Sequence, residues 1–290
     1  MELRDLKYFL AVARLKNITR AADELHISQP ALSKQIQSLE LELGTKLFNR
    51  GKKSTTLTDS GMLFVQRARD MIELEKKLLH EFKNIDENIT GEIFIGCAET
   101  EGMRFIADKF SQLHKKFPRI KINLHSLDSR DSLDFLEKGL LDFVVVTNPS
   151  DVRQFDFFQI PHKDIWGLLM RRDDPMSKLE KITASDLWNK PLILSRQAFK
   201  NSELSHWFQR SEDSLNIVAT YNLIFNASFM IENGLGYAVG YDKLINSDRI
   251  IFRPLEPRLE AKLFIVWKKY RQLSRASDLF RKFLIDKELT

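Results

Sequence analysis

The sequence predicts an α+β multidomain protein in three parts: an N-terminal helical unit with a small two-stranded β-ribbon, one long helix, and a C-terminal region of two α/β subdomains. Three observations predict this organisation. Apolar residues recur at helical spacing through the first sixty residues, and no Gly or Pro interrupts the amphipathic pattern between Met62 and Asn88. From Gly91 onward, short apolar strands alternate with helical stretches, which is typical of α/β folds.

The composition is that of a globular protein. The chain has 290 residues and a net charge of +5, with 43% hydrophobic and 29% charged residues, which excludes wholesale disorder. The longest apolar runs, such as 143–146, are far too short to span a membrane, and residues 1–10 lack a signal-peptide core. A single cysteine, Cys97, excludes an internal disulfide and a CxxC site. We expect a cytoplasmic protein with no membrane partner.

The first sixty residues predict three short helices. A first helix is indicated by the helical spacing of Leu3, Leu6, Phe9, Leu10 and Ala13. Thr19 is expected to cap a second helix and Ser28 a third, whose first turn tolerates Pro30. Gly44 is expected to end the third helix.

The third predicted helix has one apolar and one polar side. At about 100° per residue, Leu32, Ile36, Leu39 and Leu43 share the apolar side. The opposite side carries small and polar residues suited to base edges and phosphates, namely Gln29 at its N-terminal edge, Pro30, Ser33, Lys34 and Gln37. A three-helix packing unit with a polar outer surface is the alternative interpretation.

The segment after the third helix predicts a β-hairpin, or wing. Residues 47–58, LFNRGKKSTTLT, have the pattern of strand, glycine-containing turn and strand. No acidic residue lies between Leu43 and Thr58, and the stretch contains four cations: Lys46, Arg50, Lys52 and Lys53. Unopposed cations suit DNA phosphates, so the wing favours DNA binding over a simple packing unit.

The N-terminal sequence resembles the DNA-binding domain of LysR-type transcriptional regulators. The run AADELHISQPALSKQIQSLELELGTKLFNR, followed by LTDSG, matches the family in the spacing of AA, SQP, S, the Leu-Glu pair, G, LF-R and LT-x-x-G. The resemblance implies a winged helix-turn-helix domain at 1–60, with the helix-turn-helix at about 18–37. It places Thr19, Ser28, Gln29, Pro30, Ser33 and Lys34 at the major groove, and Arg50, Lys52, Lys53 and Thr58 on the wing. Relatives often have Arg at Lys34, and Lys discriminates guanine less well.

Residues 61–88 predict a linker helix that dimerises. Its apolar residues repeat at three- and four-residue steps, namely Phe64, Ala68, Met71, Ile72, Leu78, Leu79 and Phe82. A helix of this length needs a long partner, and a second copy of the chain supplies one. The resemblance implies the same dimerising helix, within a dimer or tetramer. Packing on its own domain is the alternative.

The C-terminal region resembles the periplasmic-binding-protein-like effector domain of the same family. The segments GEIFIG, L-D-x-x-V (141–145) and ENGLGYAV carry this looser match. The resemblance implies a first subdomain at 91–161 and 268–290 and a second at 162–267. The chain is expected to cross near Pro161–Lys163 and to return near Val266–Lys268.

Loops beyond the carboxyl ends of the strands are expected to form one effector-binding cleft. The candidate effector-binding residues in these loops are Glu99, Thr100, Glu101, Gly102, Arg130, Thr147, Ser195, Arg196, Asn222, Phe225 and Tyr241. The two Arg residues and the helix N-termini favour a small anion such as a carboxylate. Glu99 and Glu101 could neutralise these Arg residues or bind an amine, so an amino-acid-like metabolite would suit both signs.

The sequence contains no catalytic or metal-ligating pattern. The six His residues are scattered without HxxxH or HExxH spacing, and GxSxG and P-loop motifs are absent. We predict a transcription regulator rather than an enzyme, without metal or cofactor. Its expected partners are double-stranded DNA, a small-molecule effector and itself, with RNA polymerase as a further candidate. The alternatives are a cytosolic small-molecule-binding protein or enzyme, and a DNA-binding protein without an effector.

Overall fold

A computed structural model of the chain describes residues 1–50, 55–83, 89–148, 155–196 and 202–285. The chain divides into two compact units, Met1–Ile85 and Asp86–Thr290. The expected wing residues Lys52 and Lys53 lie outside the described residues, as do the side chains of Arg50 and Phe82. Among the described helices, none is long and apolar enough to cross a membrane.

The described residues of the first unit form four helices and one pair of antiparallel strands. Its elements are α1 (Leu3–Leu15), α2 (Ile18–Glu24), α3 (Gln29–Glu42), β1 (Phe48–Arg50), β2 (Thr55–Leu57) and α4 (Asp59–Lys83). The strands are antiparallel, with Phe48 opposite Leu57. Leu6, Phe9, Leu32 and Ile36 form the centre of the core, as expected from their helical spacing.

The predicted caps of this unit are partly right. Ser28 caps α3, and its hydroxyl accepts a hydrogen bond from the Ala31 N–H at 3.4 Å. Gly44 follows the end of α3 with a φ of 65°, a conformation that favours glycine. The expected cap of α2 is wrong: Asn17 caps it, with its side chain accepting from the Arg20 N–H at 3.0 Å. Thr19 instead lies exposed in the first turn.

The second unit alternates strands and helices. Its strands are β3 (Gly91–Cys97), β4 (Ile120–Ser126), β5 (Phe143–Thr147), β6 (Phe155–Arg171), β7 (Ile182–Thr183), β8 (Leu192–Ser195), β9 (Ile217–Tyr221), β10 (Tyr237–Tyr241), β11 (Ile250–Glu256) and β12 (Glu260–Lys268). Its helices are α5 (Met103–Lys116), α6 (Ser129–Lys138), α7 (Ala184–Leu187), α8 (Ser202–Phe208), α9 (Ile224–Glu232) and α10 (Arg275–Ile285).

One long strand, β6, joins two subdomains. The sheet order is β4-β3-β5-β12-β6-β10-β8-β9, and β11 pairs with β6 and β7. Up to Ile165, β6 pairs with β12, and from Trp166 it pairs with β10. The parallel strands β3, β4 and β5 belong to the first subdomain, and β8, β9 and β10 to the second. In each subdomain the carboxyl ends of the parallel strands share one edge.

The return of the chain to the first subdomain occurs earlier than expected. Leu263, Ile265 and Trp267 lie in the core of the first subdomain, and this part of β12 pairs with β5. The chain therefore returns between Glu256 and Glu260, and the expected position near Val266–Lys268 is wrong. An apolar run predicts a strand but does not indicate which sheet it joins. The closing helix α10 packs in the first core, as expected.

Candidate DNA interface and effector cleft

The polar side of α3 points away from the core of the first unit. Leu32, Ile36 and Leu39 are buried. The predicted groove-facing residues are on the other side: Ser28, Gln29, Pro30, Lys34 and Gln37 are exposed, and Ser33 is half-buried. The helix therefore offers amide, hydroxyl and ammonium groups to solvent along one side, which are groups that can contact bases in the major groove.

A buried carboxylate on α1 holds α3 in place. Asp5 accepts hydrogen bonds from the Gln35 amide (Nε2–Oδ1 2.8 Å) and from the Glu2 N–H (2.8 Å). Burial raises the pKa of Asp5, but these hydrogen bonds outweigh it, and the pKa lies below its usual value. Because Asp5 and Gln35 join α1 to α3, they fix the orientation of the exposed side of α3.

A second buried carboxylate connects α3 to the wing. Glu40 is only 3% exposed, and its Oε1 accepts from the N–H groups of Leu47 (2.9 Å) and Phe48 (3.1 Å). Its Oε2 also pairs with Lys46 Nζ at 3.2 Å. Hydrogen bonds to a charged acceptor are stronger than neutral ones, so Glu40 sets where the wing begins relative to α3. Sequence analysis named Glu40 only as part of the Leu-Glu pair of the family motif and did not predict its hydrogen bonds to the wing.

Thr58 connects the segment before β1 to the start of α4 by hydrogen bonds. Its hydroxyl donates to the Lys46 carbonyl (2.7 Å) and accepts from the Gly61 N–H (3.0 Å), while its N–H donates to the Leu47 carbonyl (3.0 Å). A Cβ on Gly61 would lie 2.1 Å from the Leu47 carbonyl oxygen, so only glycine fits there. Thr58 therefore caps α4 and connects it to the start of the wing, and its expected DNA contact stays a prediction.

The linker helix α4 has two separate apolar sides. Ala68 is fully buried in the core of the first unit, and Phe64 and Ile72 pack against the same core. Ala68 is therefore not available for the expected dimerisation seam, and Phe64 and Ile72 present only part of their surface to a partner. A different stripe is exposed, formed by Leu63 (66% exposed), Met71, Leu74 (42% exposed) and Leu78. Leu79 is also exposed, and the sequence pattern missed Leu63 and Leu74.

Two carboxylate bridges join the effector subdomains. Glu99, which follows β3, accepts a hydrogen bond from the N–H of Ile224, the first residue of α9. Arg196, which follows β8, pairs with Asp128 (Nη2–Oδ2 2.5 Å) and approaches Asp131 (3.7 Å). A helix N-terminus and a guanidinium group are the usual partners of a bound anion. Here the chain's own carboxylates occupy both.

The Thr100–Gly102 loop is engaged inside the protein. The Thr100 hydroxyl donates to Asp164 Oδ2 (2.6 Å) and accepts from the Gly102 N–H (3.0 Å). Glu101 pairs with Arg104 at 2.8 Å, and this hydrogen bond lowers the pKa of Glu101. The Thr100 hydroxyl and the Glu101 carboxylate therefore already have partners within the chain, and their expected contacts with an effector stay a prediction.

Asp164 lies on the crossing strand and is buried. Burial raises the pKa of this carboxyl, although the Thr100 hydroxyl and His162 act in the opposite direction. His162 Nε2 lies 3.2 Å from Asp164 Oδ1. Sequence analysis did not predict that Asp164 connects β6 to the loop after β3.

The other expected effector residues differ in their exposure and in their contacts. Arg130 and Asn222 are exposed, and Thr147 and Ser195 are half-buried. Phe225 is exposed on α9 and contacts Phe229 edge-on, with ring centroids 5.4 Å apart. Tyr241 packs on Trp166, with ring centroids 4.3 Å apart. The residues that sequence reasoning missed here are Asp128, Asp131, Asp164 and Trp166.

Cys97 is a buried thiol at the end of β3. Its Sγ contacts the His125 carbonyl oxygen at 3.9 Å, and burial raises the pKa of the thiol. A raised pKa reduces the thiolate fraction and hence the reactivity of the sulfur. Within the described residues, no group of three or more His, Cys, Asp and Glu side chains could hold a metal ion.

An exposed helix with a wing, followed by a two-subdomain α/β fold, is the arrangement of a DNA-binding regulator with a substrate-binding domain. Residues 3–62 match the family model for the bacterial regulatory helix-turn-helix protein of the lysR family. Residues 86–288 match the model for the LysR substrate binding domain. The chain belongs to the LysR family of transcription regulators.

Individual relatives support this assignment. The chain is 30% identical over 218 residues to the hydrogen peroxide-inducible genes activator of Pectobacterium carotovorum subsp. carotovorum, covering 73% of this chain and 71% of the relative. It is 29% identical over 276 residues to the Hca operon transcriptional activator HcaR of Escherichia coli (strain K12), covering 93% and 92%. These relatives are transcription regulators, so the prediction of a regulator rather than an enzyme is confirmed.

The fold is that of a full-length LysR regulator. Full-length CbnR complexed with its target DNA superposes with a TM-score of 0.78, covering 100% of both chains at 21% identity. The predicted fold class, a winged helix-turn-helix with a long linker helix and a two-subdomain α/β effector domain, is confirmed.

Proposed function

We propose that this regulator responds to a small anionic or amino-acid-like metabolite bound between the two effector subdomains. The two carboxylate bridges carry this proposal. The N-terminus of α9 holds Glu99, and Arg196 holds Asp128. A ligand carboxylate has the same charge and the same acceptor geometry as these side chains. It would therefore compete with Glu99 and Asp128 for the same donors.

Competition of this kind couples binding to the arrangement of the subdomains. Both bridges connect the first subdomain to the second, so displacing either carboxylate removes a contact between them. A ligand shifts a conformational equilibrium only by its differential affinity for the two arrangements. The replaced bridges supply that difference, and a hinge motion about β6 would transmit it.

The released carboxylates explain why an amino-acid-like ligand is a good candidate. Once a ligand carboxylate takes the Ile224 N–H, the carboxylate of Glu99 requires a new partner. An ammonium group on the same ligand would supply one. This accounts for the two signs of charge that the sequence places around the cleft.

The test is a comparison of Glu99→Gln with the wild-type chain. The Gln amide oxygen can still accept from Ile224, but its charge is lost, so added carboxylates should compete better. We expect succinate and benzoate to bind Glu99→Gln roughly tenfold more tightly than wild type, and L-glutamate to gain less, because its ammonium group loses the charge of Glu99. Titration calorimetry measures the affinities directly.

The matched control is Glu101→Gln, because Glu101 sits in the same loop but pairs with Arg104 instead of α9. This variant should bind the three carboxylates as the wild type does. An effector of this class would be ruled out if none of them bound either the wild type or Glu99→Gln.

For DNA binding, we infer that the exposed side of α3 determines which base sequence the protein prefers. Gln29, Ser33, Lys34 and Gln37 are the proposed base-reading residues, with Thr19, Ser28 and Pro30 flanking them. Arg50, Lys52 and Lys53 of the wing are the proposed phosphate contacts. Phosphate contacts govern affinity and salt dependence, whereas base contacts govern sequence preference.

We further infer that two copies associate through the exposed stripe of α4. Met71, Leu74 and Leu78 recur at the three- and four-residue steps of a coiled-coil seam, and Leu63 lies eight residues before Met71. Their exposure in the isolated chain supports a helical partner, and an identical helix from a second copy has the required length. A dimer would place two copies of α3 on a DNA site with matching two-fold symmetry.

The redox role suggested by the name of one relative does not suit this chain. That relative is a hydrogen peroxide-inducible genes activator. Here the single cysteine, Cys97, has no second cysteine for an internal disulfide, and burial raises the pKa of its thiol. We therefore propose a metabolite, and not a thiol oxidation, as the signal.

A further inference from the structure

The second effector subdomain contains three tryptophans whose indole N–H groups are used differently. Trp188 Nε1 donates to the Phe208 carbonyl (3.1 Å), and Trp207 Nε1 donates to the Pro257 carbonyl (3.1 Å). Trp166 is only 5% exposed, and its indole N–H donates to no group in the described part of the structure. Buried donors are almost always paired, so the indole of Trp166 requires an explanation.

Trp166 lies at the ligand-binding edge of the sheet. It pairs with Tyr241, the last residue of β10, and their rings pack 4.3 Å apart. Ser195 and Tyr221 end the parallel strands β8 and β9 at the same edge. In open α/β sheets, ligands bind beyond this carboxyl edge. Trp166 is therefore placed where an effector of the second subdomain is expected.

Trp166 lies two residues after Asp164, the residue of β6 that contacts the loop after β3. Alternate residues of a strand share one face, so Asp164 and Trp166 lie on the same side of β6. Asp164 accepts from Thr100, which belongs to the loop after β3. Trp166 thus lies on the strand about which the subdomains would move, and its ring packs on Tyr241.

We propose that Trp166 is a specificity-determining residue of the effector cleft. Its indole N–H donates to an acceptor oxygen of the effector, and its ring and that of Tyr241 pack against a flat, conjugated part of the ligand. This inference rests on the proposed effector function and narrows it to a planar carboxylate. A site built to satisfy a polar ligand group leaves that donor unpaired when the ligand is absent.

The test compares Trp166→Phe with the full wild-type chain, using benzoate as the planar probe and succinate as the non-planar one. Phe keeps an aromatic ring and removes only the N–H donor and part of the ring area. We expect benzoate to bind wild type more tightly than succinate, and the Trp166→Phe change to weaken benzoate about tenfold.

The matched control is Trp207→Phe, at a similarly buried indole of the same subdomain (7% exposed). This variant leaves the Pro257 carbonyl unpaired, so its unfolding temperature should fall while its affinity for benzoate changes little. Trp166→Phe removes a donor that has no partner among the described residues, so its unfolding temperature should fall less than that of Trp207→Phe.

A second measurement stays informative even if Trp166→Phe folds poorly. With ¹⁵N-labelled tryptophan, the wild-type chain gives one indole signal for each of its four tryptophans. Benzoate should shift one signal to a hydrogen-bonded position, and the signals of Trp188 and Trp207 should stay in place.

The outcomes separate the two proposals. If neither carboxylate binds the wild type or Glu99→Gln, the anionic effector itself is excluded and the role of Trp166 falls with it. If benzoate binds wild type and Trp166→Phe equally, or no indole signal moves, the role of Trp166 is wrong while the effector proposal stands.

Discussion

At the scale of single residues, buried carboxylates organise both units of this protein. Asp5 and Glu40 connect α3 to α1 and to the wing, and Asp164 connects the crossing strand to the loop after β3. Asp5 and Asp164 accept hydrogen bonds from residues 30 and 64 positions away in the sequence, and Glu40 from residues seven and eight positions away. Such residues look like ordinary surface acids in the sequence, because their partners become neighbours only when the chain folds.

Glu40 should be more important for stability than its neighbour Glu42 on the same helix. Glu40→Gln weakens the charged acceptor for the N–H groups of Leu47 and Phe48, so we expect a loss of about 1–3 kcal/mol in the free energy of unfolding of the first unit. Glu42→Gln, at an exposed side chain, should cost less than about 0.5 kcal/mol.

Hydrogen exchange of the Leu47 and Phe48 amides checks this role most directly, because local opening of the wing exposes them. Faster exchange in Glu40→Gln, with Glu42→Gln unchanged, is the expected result. Equal exchange in both variants would show that Glu40 does not hold the wing.

Asp164 should make the second unit less stable as the pH rises. Burial raises the pKa of Asp164 above its ordinary value of 3.8, so the folded state binds this proton more tightly than the unfolded chain does. The stabilisation is complete below that ordinary value and is lost as the pH rises through the raised pKa. Asp164→Asn should remove this part of the pH dependence, since its amide oxygen can still accept from Thr100.

Tryptophan fluorescence follows this unfolding selectively, because all four tryptophans lie in the second unit. Asp278→Asn is the control, because hydrogen bonds from Arg281 and Lys282 lower the pKa of Asp278 and give the opposite sign. The explanation is refuted if Asp164→Asn and wild type lose stability alike as the pH rises from 4 to 7, a range just above the ordinary Asp pKa.

At the scale of elements, the sequence pattern predicted where the helices lie better than it predicted which surfaces they pack against. Helical spacing predicted the buried side of α3 and its cap, Ser28. It also predicted α4 as one long helix, but it merged two apolar sides into a single seam. Periodicity records which residues are apolar; it does not record that Phe64 packs on Phe9, 4.9 Å away between ring centroids.

A charge on the exposed side of α4 should therefore separate the two copies. Leu74→Glu places a carboxylate in the proposed seam without touching the core, so we expect monomers at concentrations where wild type is a dimer. Gln66→Glu adds the same charge on another exposed part of α4 and should leave the dimer intact. Sedimentation velocity distinguishes the two, and a dimeric Leu74→Glu would contradict the assignment of the seam.

At the scale of the whole molecule, the alternation of strands and helices was enough to predict two α/β subdomains, but not their connections. The bridge from Glu99 to Ile224 spans 125 residues, and no local pattern reports such a pair. The same holds for Arg196 and Asp128, 68 residues apart. The sequence pattern singled out Glu99 and Arg196, but their partners within the chain appear only in the fold.

We propose that the exposed side of α3 recognises the DNA sequence in each copy of a symmetric dimer. The most direct measurement is selection of fragments from the organism's own genome with wild type and Gln29→Ala, at near-physiological salt. Wild type should enrich a site with two-fold symmetry, and Gln29→Ala should enrich the same fragments with a relaxed base preference in each half-site. An unchanged preference in Gln29→Ala, or enrichment without a symmetric site, would contradict the account.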